Sequence, residues 1–506
     1  MMSEAKRIAK NTSIQYVRLI ISIIIGLYSV RLILDALGTE DFGIYGLITG
    51  VVTLMSFINT SLTQTSVRFI GVSMGNGNNE RVKSSFNNSF WLHIFFGFTI
   101  YFFMQIGGNL LFEYYLNIPD GRLEAAKTVF QFVLISLFIN VIITPYSALA
   151  ISHERFSFIA IVSIVDSLLK LGIAIIISNS TADRLILYGV LLSSITLLTF
   201  ITYCSYCQIN FKNEIQYGNP SIQGIKSMIS FASWTVLDVL GVTLTRDGYS
   251  IILNRYFGTS MNTVFSLARQ IEGQFYTFAS SATETIKPII MKREGSGQRE
   301  SMLSLSFTTG KIGFSLLSMI AIPAIIMMPD LLNIWLVSVP EGTILFSRLL
   351  IVACMMNQLT QGLVFANQAI GDIKLFSIIV SCCRISALPI SWISLHFGAP
   401  AHVAIIIFVV CETVGSASRI YVLSRQVNGS VKNFIMTAFI KIIPATLISI
   451  IICLFLYDRV DNFIGVILVF LASVILFIIF SYLLSFNTIE KQMLRSIVAT
   501  RTSRQR

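Results

Sequence analysis

The feature that most constrains this chain is a succession of continuous apolar runs, each about twenty residues or longer. A helix needs about 20 apolar residues to cross the hydrocarbon core of a bilayer. Inside that core every backbone N–H and C=O must be bonded internally, so only helices or closed barrels can span it. Barrel strands would alternate over segments of about ten residues, and these runs do not alternate. They predict an all-α polytopic membrane protein with about fourteen transmembrane helices, near 12–36, 42–66, 87–111, 124–147, 156–178, 185–209, 224–250, 260–286, 303–328, 343–366, 374–396, 402–424, 433–456 and 462–486. Composition agrees. Charged residues make up 12% of the 506, about half the roughly 25% usual in soluble domains. Mean hydropathy is +0.77. The first run is too long for a signal-peptide core and no small-residue cleavage site follows it, so it is expected to stay as a membrane helix.

Charge sets the orientation. With the N terminus in the cytoplasm, twenty-one Lys and Arg fall in inner segments and the tail, while only Arg122, Arg184, Arg255 and Arg459 fall outside. Short loops rich in Lys and Arg stay inside, so both termini are expected in the cytoplasm. The net charge of +11 is dispersed over these loops, which argues against a nucleic-acid-binding face. The seven cysteines all lie in apolar segments. Cys204 and Cys207 form a CxxC without a second pair, and helix packing explains them better than a metal or redox role. His93, His153, His396 and His402 lack metal-ligand spacing, and the glycine turns GNGNNE and GSGQRE lack the Lys-Ser/Thr of a phosphate loop. No cofactor is expected beyond a coupling ion, Na+ or H+. The outer loops, roughly fifteen residues at most, are small for a glycan polymerase or ligase that must carry acids and bases.

The chain also matches itself. Gly38-Thr39 recurs as Gly258-Thr259, and Gly75, Gly77 and Glu80 recur as Gly295, Gly297 and Glu300, at an offset of 220. At one residue less, Ala150-Ile151 recurs as Ala369-Ile370 and Arg155 as Lys374. A six-span unit is even, so the two copies form a parallel repeat about an axis along the membrane normal. The expected organisation is a six-helix lobe over 1–209, a cytoplasmic linker at 210–223, a second six-helix lobe over 224–430, two further helices over 431–486 and a basic cytoplasmic tail at 487–506.

Polar residues inside the runs mark candidate sites. Span eight carries Asn262, Ser266, Arg269, Glu272, Tyr276, Ser280, Thr283 and Glu284 within about 60° of one line at helical spacing. Span two carries Thr49, Thr53, Ser56, Thr60, Thr63 and Gln64. Two such stripes predict either interhelical hydrogen bonding or a wet cavity between the lobes. Charges near mid-span are costly and tend to face a partner or a cavity. They are Asp166 and Lys170, Asp238, Arg269 and Glu272, Arg384, and Glu412, with Arg18 two turns into span one. Asp166–Lys170 and Arg269–Glu272 could satisfy themselves on one helix. Arg384 has no acid within a turn and needs an inter-helix partner, a cavity or an anion. Arg31 and Asp35, four apart, read as a pair at the outer rim.

Taken together, RIAKNTSIQYVRLI, RLILDALGTEDFGIYGL, SVRFIGVSMGNGNNE, ALAISHERF, ILNRYFGTSMNTVFSLARQIEG and IKPIIMKREGSG resemble the Wzx-type polysaccharide and O-antigen flippases of the multidrug/oligosaccharidyl-lipid/polysaccharide exporter superfamily. The resemblance implies two six-helix lobes plus two helices. It also implies movement of an undecaprenyl-diphosphate-linked oligosaccharide to the outer leaflet of the bacterial cytoplasmic (inner) membrane, through a cationic central cavity. On that expectation Arg18, Lys170, Arg269 and Arg384 would attract the diphosphate, and Tyr276, Ser56 and Thr60 would bond sugar hydroxyls. Asp166, Asp238, Glu272 and Glu412 would couple to ions or pair with these cations. Expected partners are the lipid-linked oligosaccharide, membrane lipids and other polysaccharide-assembly proteins, with the chain itself a monomer. The rival readings are an ion-coupled drug exporter of the same superfamily and a membrane polymerase or ligase of lipid-linked glycans.

Overall fold

The computed structural model describes residues 4–53, 55–114, 118–336, 339–427, 440–460, 462–486 and 491. Among them there is no strand. The helices are α1 (Glu4–Thr53), α2 (Ser56–Gly75), α3 (Asn79–Tyr114), α4 (Leu123–Ser152), α5 (Phe156–Ser178), α6 (Arg184–Asn210), α7 (Ile222–Thr283), α8 (Lys287–Gly295), α9 (Arg299–Ile326), α10 (Met328–Trp335), α11 (Thr343–Leu359), α12 (Gln361–Ile370), α13 (Lys374–His396), α14 (Ala401–Gln426), α15 (Ile440–Tyr457) and α16 (Phe463–Phe480). Among the described residues eleven stretches are long and apolar enough to cross a membrane, and twelve if the bent pair α11–α12 is one span. The expected spans two and eight are helical but are not among these. The stripe of hydroxyls and charges that singled them out also lowers their apolarity, and span two is divided between the end of α1 and α2.

Gly38 and Gly258, aligned by the 220-residue offset, share one unusual backbone. Gly38 has φ 76 and ψ 171, and Gly258 has φ 77 and ψ −171. This region is essentially closed to residues with a Cβ. Each glycine breaks a long helix into two limbs. Gly77 and Gly297 also match, with φ 66 and φ 75 in the turns after α2 and α8.

The chain divides into two compact units. The N-terminal unit is Ser13–Val236. Its centre is α4, packed by α2, α3 and α6. Past Lys127, α4 carries no charged residue, and Val129, Leu134, Val141 and Leu149 are fully buried. A helix apolar on all sides belongs inside a bundle. The C-terminal unit is Met1–Thr12 with Leu237–Arg506. Its centre is α9, packed by α8, α11, α12, α15 and α16. In α9, Lys311 is buried. Its Nζ donates to the Ser485 carbonyl at 2.8 Å and lies 5.1 Å from the centre of the Phe486 ring.

Charge fixes the helix ends of the N-terminal unit. Asp183 caps α6, accepting from the backbone N–H groups of Leu185 and Ile186. Arg122 bridges Asp183 and Asp41, each at 2.7 Å. Burial opposes ionisation of Asp183, but the Arg122 hydrogen bond, the two backbone N–H groups and the Arg122 charge outweigh it and hold its carboxyl below the ordinary value. A depressed folded-state pKa gives stability that is present above the unfolded value and lost as pH falls through the folded value. Thermal unfolding of the purified protein is therefore expected to shift to lower temperature as the pH drops below about 4. Asp183→Asn should flatten that dependence. An unchanged acid slope in the variant would show that the Arg122 bridge contributes nothing measurable.

Candidate functional site

The densest polar constellation lies inside the C-terminal unit. Arg384 on α13 donates to Glu412 on α14 through two nitrogens, Nε to Oε2 at 3.0 Å and Nη2 to Oε1 at 3.1 Å. Its Nη1 reaches Asp238 Oδ1 on α7 at 3.0 Å. Glu412 also accepts from Asn357 Nδ2 of α11 at 2.5 Å. Arg419, one helical face along from Glu412, donates from Nη1 to Thr360 Oγ1 at 3.0 Å and to the Asn357 carbonyl at 3.4 Å, with Nη2 3.9 Å from Glu412. Thr360 is the break between α11 and α12, where the two helices meet at 41°. A broken helix frees backbone groups, and in a membrane neighbouring side chains must satisfy them. Arg419 does so here. Arg384, Glu412 and Arg419 are all buried, and two guanidinium groups balance two carboxylates. Bidentate Arg–carboxylate geometry suits such burial.

The N-terminal unit carries a different kind of site. A cavity of about 270 Å³ is lined by Arg18 and Ser22 of α1, Ser163, Asp166 and Ser167 of α5, and Thr199 and Tyr203 of α6. It lies along the first limb of α1, α5 and α6, all candidate spans. Asp166 is held by Lys170 at 2.8 Å. Among the described residues Arg18 makes no hydrogen bond or ion pair. An unpaired guanidinium beside five hydroxyls within apolar helices is poised for an oxygen-rich anion.

The remaining expectations sort as follows. Arg269 pairs with Glu272 on its own helix at 3.0 Å. Tyr276 packs against the cluster around Phe314 and Leu317. Thr60 is exposed but not without an interaction partner, and the Ser56 side chain lies outside the described residues. Of the four cations expected to attract a diphosphate, Lys170, Arg269 and Arg384 are each committed to a carboxylate, and Arg18 is not. Arg31 and Asp35 are both exposed and form no ion pair with each other among the described residues. That expectation is corrected. Near the end of a span each charged side chain can reach the interface by itself, and the fixed charges near that end are Asp41, Arg122 and Asp183. Sequence reasoning missed Arg419, although its spacing of seven from Glu412 places both on one helical face. It also missed Asn357, Thr360 and Lys311.

Comparison with known proteins adds the following. A polysaccharide biosynthesis protein family matches residues 31–329. No curated protein matches the chain significantly. Among solved structures, the chain is similar to the outward-facing conformation of a multidrug resistance MATE family transporter of the MOP superfamily. The identity is 15% and the TM-score 0.73, covering 85% of this chain and 97% of that one. A MOP superfamily transporter from Pyrococcus furiosus, described as having a binding pocket of reverse polarity that suggests a different function, matches at 15% identity and TM-score 0.70, covering 85% and 97%. A mutant of the Vibrio cholerae MATE transporter VcmN matches at 14% identity and TM-score 0.71, covering 84% and 97%. At these identities the likeness shows the fold: this is the all-helical MATE-like architecture.

Proposed function

The chain belongs to the polysaccharide biosynthesis protein family, and from that premise we propose that it moves a polyprenyl-diphosphate-linked oligosaccharide from the inner to the outer leaflet of a bacterial cytoplasmic membrane. In this reading it is a transporter rather than an enzyme, with both termini in the cytoplasm. The observation that carries the proposal is Arg18, an unpaired guanidinium facing a polar cavity within membrane-spanning helices. A diphosphate cannot cross hydrocarbon unaided, because unpaired charge there is expensive. Arg18 supplies the counter-charge, and the serine, threonine and tyrosine hydroxyls around it replace water. The cavity of about 270 Å³ suits the phosphate end of the substrate, with the prenyl chain left in lipid. A membrane potential negative inside favours outward movement of the anion by about 2.3 kcal/mol per charge per 100 mV. Exposure of the site alternates between the two sides of the membrane. Asp238 and Glu412, whose charge balance with Arg384 and Arg419 changes if either carboxylate takes up H+ or yields to Na+, serve as the coupling groups.

The test is Arg18→Ala and Arg18→Lys in cells whose only copy is the variant, with surface glycan and outer-leaflet lipid-linked unit measured. Loss of a charge-assisted hydrogen-bond donor costs about 1.5–3 kcal/mol. Delivery is therefore expected to fall at least about tenfold for Ala, with partial retention for Lys, which keeps the charge but not the fork. Full delivery by Arg18→Ala at normal protein levels would remove this assignment. The buried carboxylates favour one second reading, an ion-coupled exporter of cationic drugs. Deletion that alters drug susceptibility while surface glycan stays normal would support that reading instead.

A further inference from the structure

A second cavity, of about 450 Å³, lies in the C-terminal unit where α10 meets the end of α15 and the start of α16. In the orientation proposed above this end faces outward. The volume is within the roughly 300–1,000 Å³ of small-molecule sites. Its polar lining is Asp330 and Asn333 of α10, Tyr457 at the end of α15, and Asn462, which caps α16 through Gly465 N–H. Phe463, 57% exposed, gives it an aromatic wall. Among the described residues no Lys or Arg lines it. The nearby cations are occupied: Arg348 donates to the carbonyls of Ile325 and Ile326, and Arg459 sits over the Phe455 ring.

We propose that this cavity is a saccharide site, taking a neutral sugar residue of the transported glycan on the outer side; the identity of that glycan rests on the function proposed above. The chemistry differs from that of the Arg18 cavity in the way a split substrate requires. Asp330 is the one charge among the described lining residues, and it repels a diphosphate. Tyr457 O–H donates to Asp330 Oδ2 at 2.6 Å, which orients the carboxylate and uses one of its roughly four acceptor positions. The others suit the O–H groups of a vicinal diol. Asn333 and Asn462 carry both donor and acceptor atoms, matching hydroxyls that do both. The exposed ring of Phe463 offers a face against which the C–H side of a pyranose can pack. The one carboxylate among the described lining residues is poor equipment for a Ca²⁺ site, which takes six to eight oxygens.

The experiment uses the full chain in lipid nanodiscs and saturation-transfer NMR with free glucose, galactose, rhamnose and N-acetylglucosamine as probes. Asn333 is exposed, so Asn333→Ala should fold normally; Asp330→Asn keeps the shape of the carboxylate. Transfer to at least one sugar is expected, with affinity reduced about fivefold in each variant, as for one lost hydrogen-bond partner. Absence of transfer to all four sugars, or transfer that survives both substitutions, overturns the saccharide site. Because the readout is binding, it separates from delivery in cells. Sugar binding without delivery would fault the proposed function alone, and delivery without sugar binding would fault this site alone.

Discussion

Arg384→Met is expected to destabilise the C-terminal unit by about 3–5 kcal/mol, the cost of breaking a buried ion pair by removing one partner. The geometry explains why the effect is at the high end. Arg384 serves two carboxylates on two other helices, Glu412 at 3.0 Å and Asp238 at 3.0 Å. Without it, Glu412 keeps Asn357 and the 3.9 Å approach of Arg419, while Asp238 loses the partner that holds it. Replacing all four charges together, Arg384→Met with Asp238→Asn, Glu412→Gln and Arg419→Gln, should restore most of the loss, because a neutral core of similar volume is often no less stable than buried ion pairs. Thermal unfolding of the purified protein in one detergent measures both variants. A single substitution costing under about 1 kcal/mol would mean the network is solvated like a surface pair. A quadruple variant as unstable as the single one would mean that the volume of Arg384, and not its charge, is what the unit needs.

Gly362→Val should be nearly as damaging. Gly362 opens α12, and a Cβ there would fall on the Ser306 carbonyl of α9. Gly310 of α9 approaches the Leu359 carbonyl in the same way. The two backbones therefore touch without intervening side chains, the small-residue packing by which membrane helices associate. Backbone cannot rotate away as a side chain can. Overpacking costs about 1–3 kcal/mol, and here it also pushes on the 41° break at Thr360 that Arg419 secures. Lower thermal stability and loss of delivery are expected together. Ser306→Gly would not relieve it, because the obstacle is the carbonyl. Full stability of Gly362→Val would show that α9 and α12 can separate freely.

What the sequence made legible follows from what acts locally. Continuous apolar runs announce membrane helices because hydrocarbon demands length and internal hydrogen bonding. The glycines at 38 and 258 were visible as a repeated pair, and the structure gives them the same backbone because only glycine reaches it. Pairs on one helix, Asp166–Lys170 and Arg269–Glu272, could be read from spacing alone. Contacts between helices could not. Arg384 and Glu412 are 28 residues apart, and Arg384 and Asp238 are 146 apart. Sequence shows only that Arg384 needs a partner, not that it has two. The same gap hid Arg419, whose partner is a helix break that no local pattern marks, and Lys311, whose acceptor is a backbone carbonyl 174 residues away. The pair at Arg31 and Asp35 illustrates the reverse. Spacing permits a bond that the structure does not form.

The most direct test of the central claim is reconstitution. The purified chain in sealed proteoliposomes, loaded with a fluorescent polyprenyl-diphosphate-linked oligosaccharide, is assayed by quenching with a membrane-impermeant reductant. Transfer of the labelled lipid between leaflets is expected, faster with an imposed potential that drives anions toward the quencher, and lost in Arg18→Ala. Proteoliposomes that exchange the lipid no faster than protein-free vesicles, with the protein folded and a potential imposed, would contradict it.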